Sequence, residues 1–139
     1  MREIEPKGLE ILRIISIIYK EINREASRRM GQDLSPLDLG IIKTLSISPY
    51  TPAKIANVLG VSRSAMTYAI DRLEEMGLVM RTRSEEDRRV IQLELTEKGK
   101  KTLMRAQKIY NDITREKLNI LSEKEVNSLM DILQKLISK

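Results

Sequence analysis

The chain has 139 residues, 25 Lys and Arg against 20 Asp and Glu, a net charge of +5, and neither cysteine nor histidine. At 41% hydrophobic and 32% charged it has the balance of a single globular domain, not of a disordered or membrane-spanning chain. The missing Cys and His exclude disulfides, thiolate metal sites and the commonest nucleophiles and bases, so neither an enzyme nor a metal or organic cofactor is expected. No apolar run approaches the roughly 20 residues that span a bilayer, and no signal-peptide pattern opens the chain, which predicts a cytoplasmic protein without a membrane partner.

The first element is a long helix, about Lys7 to Met30. Leu9, Ile11, Leu12, Ile14, Ile15, Ile17, Ile18, Tyr19 and Ile22 give it an apolar surface too wide for one stripe, so it needs neighbours on more than one side. Its basic end runs to Gly31, placed to terminate it. "SPLD" opens a second helix, with Ser35 as N-cap, Pro36 at the first helical position and Asp38 closing a capping box. Leu37, Ile41, Ile42 and Leu45 form its buried face, and "SISPY" ends it by Pro49. A short third helix starts at Thr51 and Pro52, turns Ile55, Ala56 and Leu59 inwards, and stops at Gly60. Ser62 then caps a fourth, to about Met76 and Gly77. Two helices joined by so short a Gly-containing turn are the signature of a helix-turn-helix.

Spacing separates the faces of the fourth helix. Met66, Ala69, Ile70 and Leu73 fall at i, i+3, i+4 and i+7 and should bury, leaving Arg63, Ser64, Thr67, Tyr68 and Asp71 together on the other side. Two strands follow, 78–83 and 90–95, in which Ile91, Leu93 and Leu95 alternate with Gln92 and Glu94. They predict a ribbon with a charged tip of about six residues. Thr96 caps a long helix to about residue 119, with Leu103, Ala106, Tyr110 and Ile113 along one side. "SEKE", 122–125, boxes the start of a last helix striped by Val126, Leu129, Met130, Leu133, Leu136 and Ile137. The charge does not concentrate on the helix-turn-helix: residues 51–95 carry 7 basic and 7 acidic side chains, whereas residues 96–139 carry 10 and 6.

A helix-turn-helix followed at once by a β-ribbon, with one helix pair before the motif and two long helices after it, resembles the MarR family of transcriptional regulators over nearly the whole chain. The most specific match is "DRRVIQLELTEKG", residues 87–99, with its Asp and Arg, Leu-x-Leu-Thr and following Gly; "LEEMGL" leading into "LVMRTRSEEDRR" is similarly typical. The resemblance implies a mainly α fold with a small β-ribbon (α+β). Residues 35–95 would be the winged helix-turn-helix (recognition helix about 62–76, wing about 78–95) and residues 7–30 and 97–138 a helical dimerisation region, all within one domain, 1–139. On periodicity alone, the same wide apolar faces serve an intramolecular three-helix core equally well.

A homodimer would then bind double-stranded DNA at a pseudo-palindromic site, with half-sites on the order of 34 Å apart. Arg63, Ser64, Thr67 and Tyr68 meet bases and phosphates in the major groove, with Tyr68 packed against the wing as the competing reading. Arg72 is counted with them, local pairing being its alternative. Arg83, Arg88 and Arg89 go to the flanking minor groove or backbone, and family precedent makes Asp87 the holder of a neighbouring arginine. Glu85 and Glu86 either trim non-specific affinity or solubilise the tip. Family members bind small aromatic or phenolic compounds between the dimer helices and the winged domain. Tyr19, Arg24, Arg28 and Tyr110 are the candidates here for such an effector, which would relieve a repressor. A winged helix that docks a protein and has lost specific DNA binding is the rival reading, kept alive by the balanced charge of residues 51–95.

Overall fold

The computed structural model describes residues 7–138. Among them six helices and two strands follow in the predicted order: α1 (Lys7–Met30), α2 (Pro36–Leu45), α3 (Pro52–Leu59), α4 (Arg63–Glu75), β1 (Val79–Arg83), β2 (Ile91–Leu95), α5 (Glu97–Leu118) and α6 (Glu123–Ile137). From α2 onward the helix starts sit where side chains satisfy the first unpaired N–H groups. Ser35 Oγ accepts from the Asp38 N–H at 3.1 Å while the Asp38 carboxylate accepts from the Ser35 N–H at 2.8 Å. Ser122 and Glu125 form the second reciprocal box, and Thr51, Ser62 and Thr96 cap α3, α4 and α5. The chain leaves α3 and α4 through Gly60 at φ 66° and Gly77 at φ 76°, a left-handed backbone that side chains with a Cβ resist.

These stops fold α2, α3 and α4 around one core. Ile41, Ile42, Ile55, Met66, Ile70, Leu73, Leu78 and Leu93 are all inaccessible, each contributing roughly 1.5–3 kcal/mol by leaving water. The C-terminal end of α1 joins through Met30, and α5 through Leu103 and Ala106. Both strands are slightly shorter than predicted, because Leu78 N–H closes the end of α4 on the Leu73 carbonyl (2.9 Å) and Val90 N–H turns to the Asp87 carbonyl in the tip (2.9 Å). The ribbon is antiparallel with Val79 opposite Leu95 and Arg83 opposite Ile91.

One pairing had no periodic signal. Tyr50, read as part of a helix stop, forms a single-residue antiparallel bridge with Leu93, donating to its carbonyl (3.3 Å) and accepting from its N–H (2.8 Å). The wing is thereby tied to the segment between α2 and α3. At its other end Thr96 N–H donates to the Leu78 carbonyl at 3.1 Å and Thr96 Oγ1 donates to the Gly77 carbonyl at 2.6 Å, which tie the base of the ribbon to α5.

The intramolecular three-helix alternative does not form. No residue of α6 is buried among the described residues, and along the first half of α1 the apolar side chains stay exposed, Leu9 at 83% and Ile17 at 40%. Only the second half of α1 packs, against α5, where Arg29 pairs with Glu116 at 2.7 Å and Tyr110 O–H donates to Asn23 Oδ1 at 2.5 Å. No helix among the described residues is long and apolar enough to cross a membrane.

Candidate nucleic-acid interface

The two faces of α4 divide as the spacing predicts. Met66, Ala69, Ile70 and Leu73 are buried, and Arg63, Ser64, Thr67, Tyr68 and Asp71 are exposed. Tyr68 stands 72% exposed, so the alternative of packing against the wing is not what the fold does with it. Thr67 Oγ1 donates to the Arg63 carbonyl at 3.0 Å. With its only proton committed there, that hydroxyl is left to offer its lone pairs as an acceptor.

The wing tip is built around one carboxylate. Asp87 Oδ1 accepts from the Arg89 backbone N–H and from Arg89 Nε, both at 3.0 Å, and Oδ2 accepts from Arg89 Nη2 at 3.0 Å. The arginine held by Asp87 is therefore Arg89, two residues on, in a bidentate fork that fixes the guanidinium plane. Arg83 takes a different part in the same tip: its Nη1 donates to the Arg88 carbonyl at 2.9 Å, bracing the loop, while the Arg88 side chain is exposed. Ser84 N–H closes the turn on the Val90 carbonyl at 2.9 Å. Glu85 and Glu86 stay exposed.

The Arg89 side chain, and after it the Arg89 backbone N–H, hold the Asp87 carboxyl below the ordinary carboxylate range. A carboxyl lowered on folding keeps its pairing at every pH above its ordinary value, near 3.9, and loses it only as pH falls through the lowered value. With no histidine in the chain, DNA affinity at constant ionic strength is expected to be flat between about pH 5.5 and 8, and Asp87→Asn should weaken it equally across that window. Fluorescence anisotropy on a labelled duplex reads this; a variant that loses affinity only at one end of the range contradicts it.

Arg72 is placed elsewhere. Its Nη2 donates to the Asp33 carbonyl at 2.7 Å and to Asp38 Oδ2 at 2.8 Å, and Asp38 is only 3% exposed. Position 72 lies at the edge of the buried stripe, next to Leu73, so its side chain turns to the junction of α1 and α2 and not to the outward face. It neutralises a buried carboxylate that also caps α2, which removes it from the group that meets solvent on α4.

The residues expected around an effector are only partly brought together. Tyr19 and Tyr110 line a cavity of about 400 Å³ between α1, α2 and α5, mostly apolar, with Leu39, Leu103 and Ala106 among its walls. Burial pushes the Tyr110 phenol up, with Tyr19 adding to the effect, so it stays a neutral donor. Arg24 and Arg28 lie outside this lining. Asn23 follows Tyr19 by four residues and shares its face, whereas Arg24 and Arg28 are turned away from it, and Arg28 pairs with Glu25. The cation in the cavity wall is Lys43, on α2. Asn23 was findable from its i+4 spacing to Tyr19; Lys43 carried no such signal.

Known proteins share this sequence pattern and this fold. The model of the MarR family matches residues 43–91. The chain is 29% identical over 123 residues to the HTH-type transcriptional regulator YpoP of Bacillus subtilis, covering 88% of this chain and 87% of that protein. It is similar to the crystal structure of the transcriptional regulator BldR from Sulfolobus solfataricus, at 35% identity and a TM-score of 0.76 over 99% of this chain and 98% of that one. It also shares the fold of a mutant MarR from E. coli complexed with operator DNA, at 24% identity and a TM-score of 0.78 over 97% of this chain and 96% of that one.

Proposed function

From the membership of this chain in the MarR family of DNA-binding, winged helix-turn-helix transcriptional regulators, we infer that it works as a homodimer on a pseudo-palindromic duplex and represses until a small effector releases it. Each α4 enters a major groove with Arg63, Ser64, Thr67 and Tyr68 at the base edges and phosphates, and each wing takes Arg88 and Arg89 to the flanking minor groove or backbone. The observation that carries this reading is the division of α4 into one wholly buried face and one polar exposed face, beside a wing tip whose Arg89 is already held in a fork. Pre-organising that guanidinium lowers the ordering cost of seating it, which offsets having a carboxylate near phosphates. Arg83 acts through the tip backbone.

The dimer is supported by the exposed apolar half of α1 and the unburied stripe of α6, surfaces that a single copy leaves in water. Repression is supported by the 34% identity over 88 residues to the transcriptional repressor MprA of Escherichia coli, of which this chain covers 50%. The effector reading rests on the α1–α2–α5 cavity, where two aromatic rings and Lys43 suit a flat weak acid, an aromatic carboxylate or phenolate. Such a ligand shifts the equilibrium only by binding one spacing of the recognition helices better than the other.

Salt dependence tests the central claim. Affinity for a selected duplex is expected to fall steeply with salt, with a slope of about −0.9 per phosphate contact. A shallow slope would favour the protein-docking alternative, which the balanced 7 and 7 charges of residues 51–95 support. Within the interface, Arg63→Ala and Thr67→Ala should alter which sequences are preferred, at about 1–3 kcal/mol for the base concerned, whereas Arg88→Ala should weaken all sequences alike and reduce the slope by about one contact. Selection from random duplexes with each variant separates the two; equal losses on every sequence for all three would remove this division of roles.

A further inference from the structure

We propose that Arg81 is the positioning residue that sets the wing against the recognition helix, so that Arg63 and Arg89 reach two grooves of one duplex at the same time; the proposal rests on the DNA-reading function above. Arg81 lies in the middle of β1, opposite the fully buried Leu93, at the point where the ribbon meets the core. Its side chain crosses to α4. Nε donates to both oxygens of Glu74, at 3.1 and 3.3 Å, and Nη2 donates to Asp71 Oδ1 at 3.1 Å. Asp71 and Glu74 are three residues apart and share a face, so one planar guanidinium spans a full turn of the helix and resists both sliding and rotation of the strand. Arg81 also shares the walls of one cleft with Arg63 and Thr67, which puts this clamp directly beside the exposed residues of α4.

Two roles are open to an arginine here, and they predict opposite signs. If Arg81 met phosphate itself, Asp71 and Glu74 would compete for its charge and repel the duplex, and removing them would tighten binding. If Arg81 positions the wing, the acids are its partners, and removing them loosens the wing and weakens binding. The side chain is 42% exposed with both acids already engaged, which favours the second. Exposed ion pairs of this kind add little to stability, so variants here remain folded.

The experiment uses the full chain and a duplex selected from a random pool by the wild-type protein. Asp71→Asn with Glu74→Gln, and separately Arg81→Met, are each expected to weaken binding about tenfold and to lose hydroxyl-radical protection at the flanking minor grooves. Dimethyl sulfate protection in the major groove should persist. Arg81→Lys, which keeps the charge without the fork, should not restore the minor-groove protection. Adding Arg89→Ala to Arg81→Met should cost almost nothing more, because the wing is already out of place. Unchanged or tighter binding by the acid-less variant, full rescue by lysine, or additive losses from Arg81→Met and Arg89→Ala would each overturn the proposal. A wild-type protein that enriches no duplex removes the DNA reading and this proposal together, whereas a binding wild type beside an unaffected Arg81→Met removes this proposal alone.

Discussion

Ile14→Glu on α1, or Leu133→Glu on α6, is expected to convert the protein to a folded monomer and to weaken its hold on an operator duplex by about a hundredfold or more. Both side chains are exposed in the single chain, 45% and 44%, so a carboxylate at either position leaves the protomer's own core untouched. Against a second copy the same carboxylate would be buried without a partner, at a cost of several kcal/mol. The affinity loss follows from geometry. A dimer binds its second half-site at the high effective concentration set by the first, and this advantage, typically a factor of about 10² to 10⁴, vanishes for a monomer. Sedimentation velocity at micromolar protein and anisotropy on the same duplex measure the two effects. Helical circular dichroism should persist, because Ile41, Ile42, Ile55, Leu73 and Leu93 close a core that does not involve either position. Variants that remain dimeric, or monomers that bind as tightly as wild type, would refute the assignment of these faces.

The second large effect is expected at Gly99, three residues into α5. In an open helix, replacing glycine by alanine stabilises by about 1 kcal/mol. Here the sign should reverse. A Cβ at position 99 would lie 2.2 Å from the Leu78 carbonyl oxygen and 2.6 Å from Leu95 Cδ1. The first of these is backbone, already accepting from the Thr96 N–H at 3.1 Å, so the strain cannot be relieved by turning a side chain. Moving α5 outward would stretch that bond and the Thr96 link to the Gly77 carbonyl, the same bonds that set the base of the wing. Gly99→Ala should therefore lower stability by about 2 kcal/mol or more, a size typical of overpacking, seen as a lower urea midpoint at fixed protein concentration. Weakened DNA binding should accompany it, since the ribbon is anchored at this point. A variant as stable as wild type would mean that α5 and the Leu78 carbonyl are not in such close approach.

Much of the fold is legible in the sequence because its signals are local. Ser35, Thr51, Ser62, Thr96 and Ser122 cap helices through atoms within three residues of themselves, and the buried stripe of α4 follows from helical period alone. Both are properties of a short segment in water, whatever surrounds it. The exposed face of α4 is the complement of that stripe, so it was legible too.

What remained hidden depends on where distant segments meet. Helical spacing puts Arg72 at the edge of the buried stripe but does not name its partner, and in the fold it reaches Asp38, 34 residues away. Arg24 and Arg28 were the cations expected at an effector site, but the packing of α1 on α2 and α5 puts Lys43 in the cavity wall and leaves them out of it. The Tyr50–Leu93 bridge is one residue long and has no period to read. In the sequence Gly99 is one glycine in the first turn of α5, and only the fold sets the Leu78 carbonyl against it. For this protein, then, caps and periodicity determined which segments are helices and which faces bury. The closing of β1, α4 and α5 on one another decided which arginine is a brace, which a core partner and which an exposed cation, because pairing energies fall steeply with distance and distance is set only when the chain is folded.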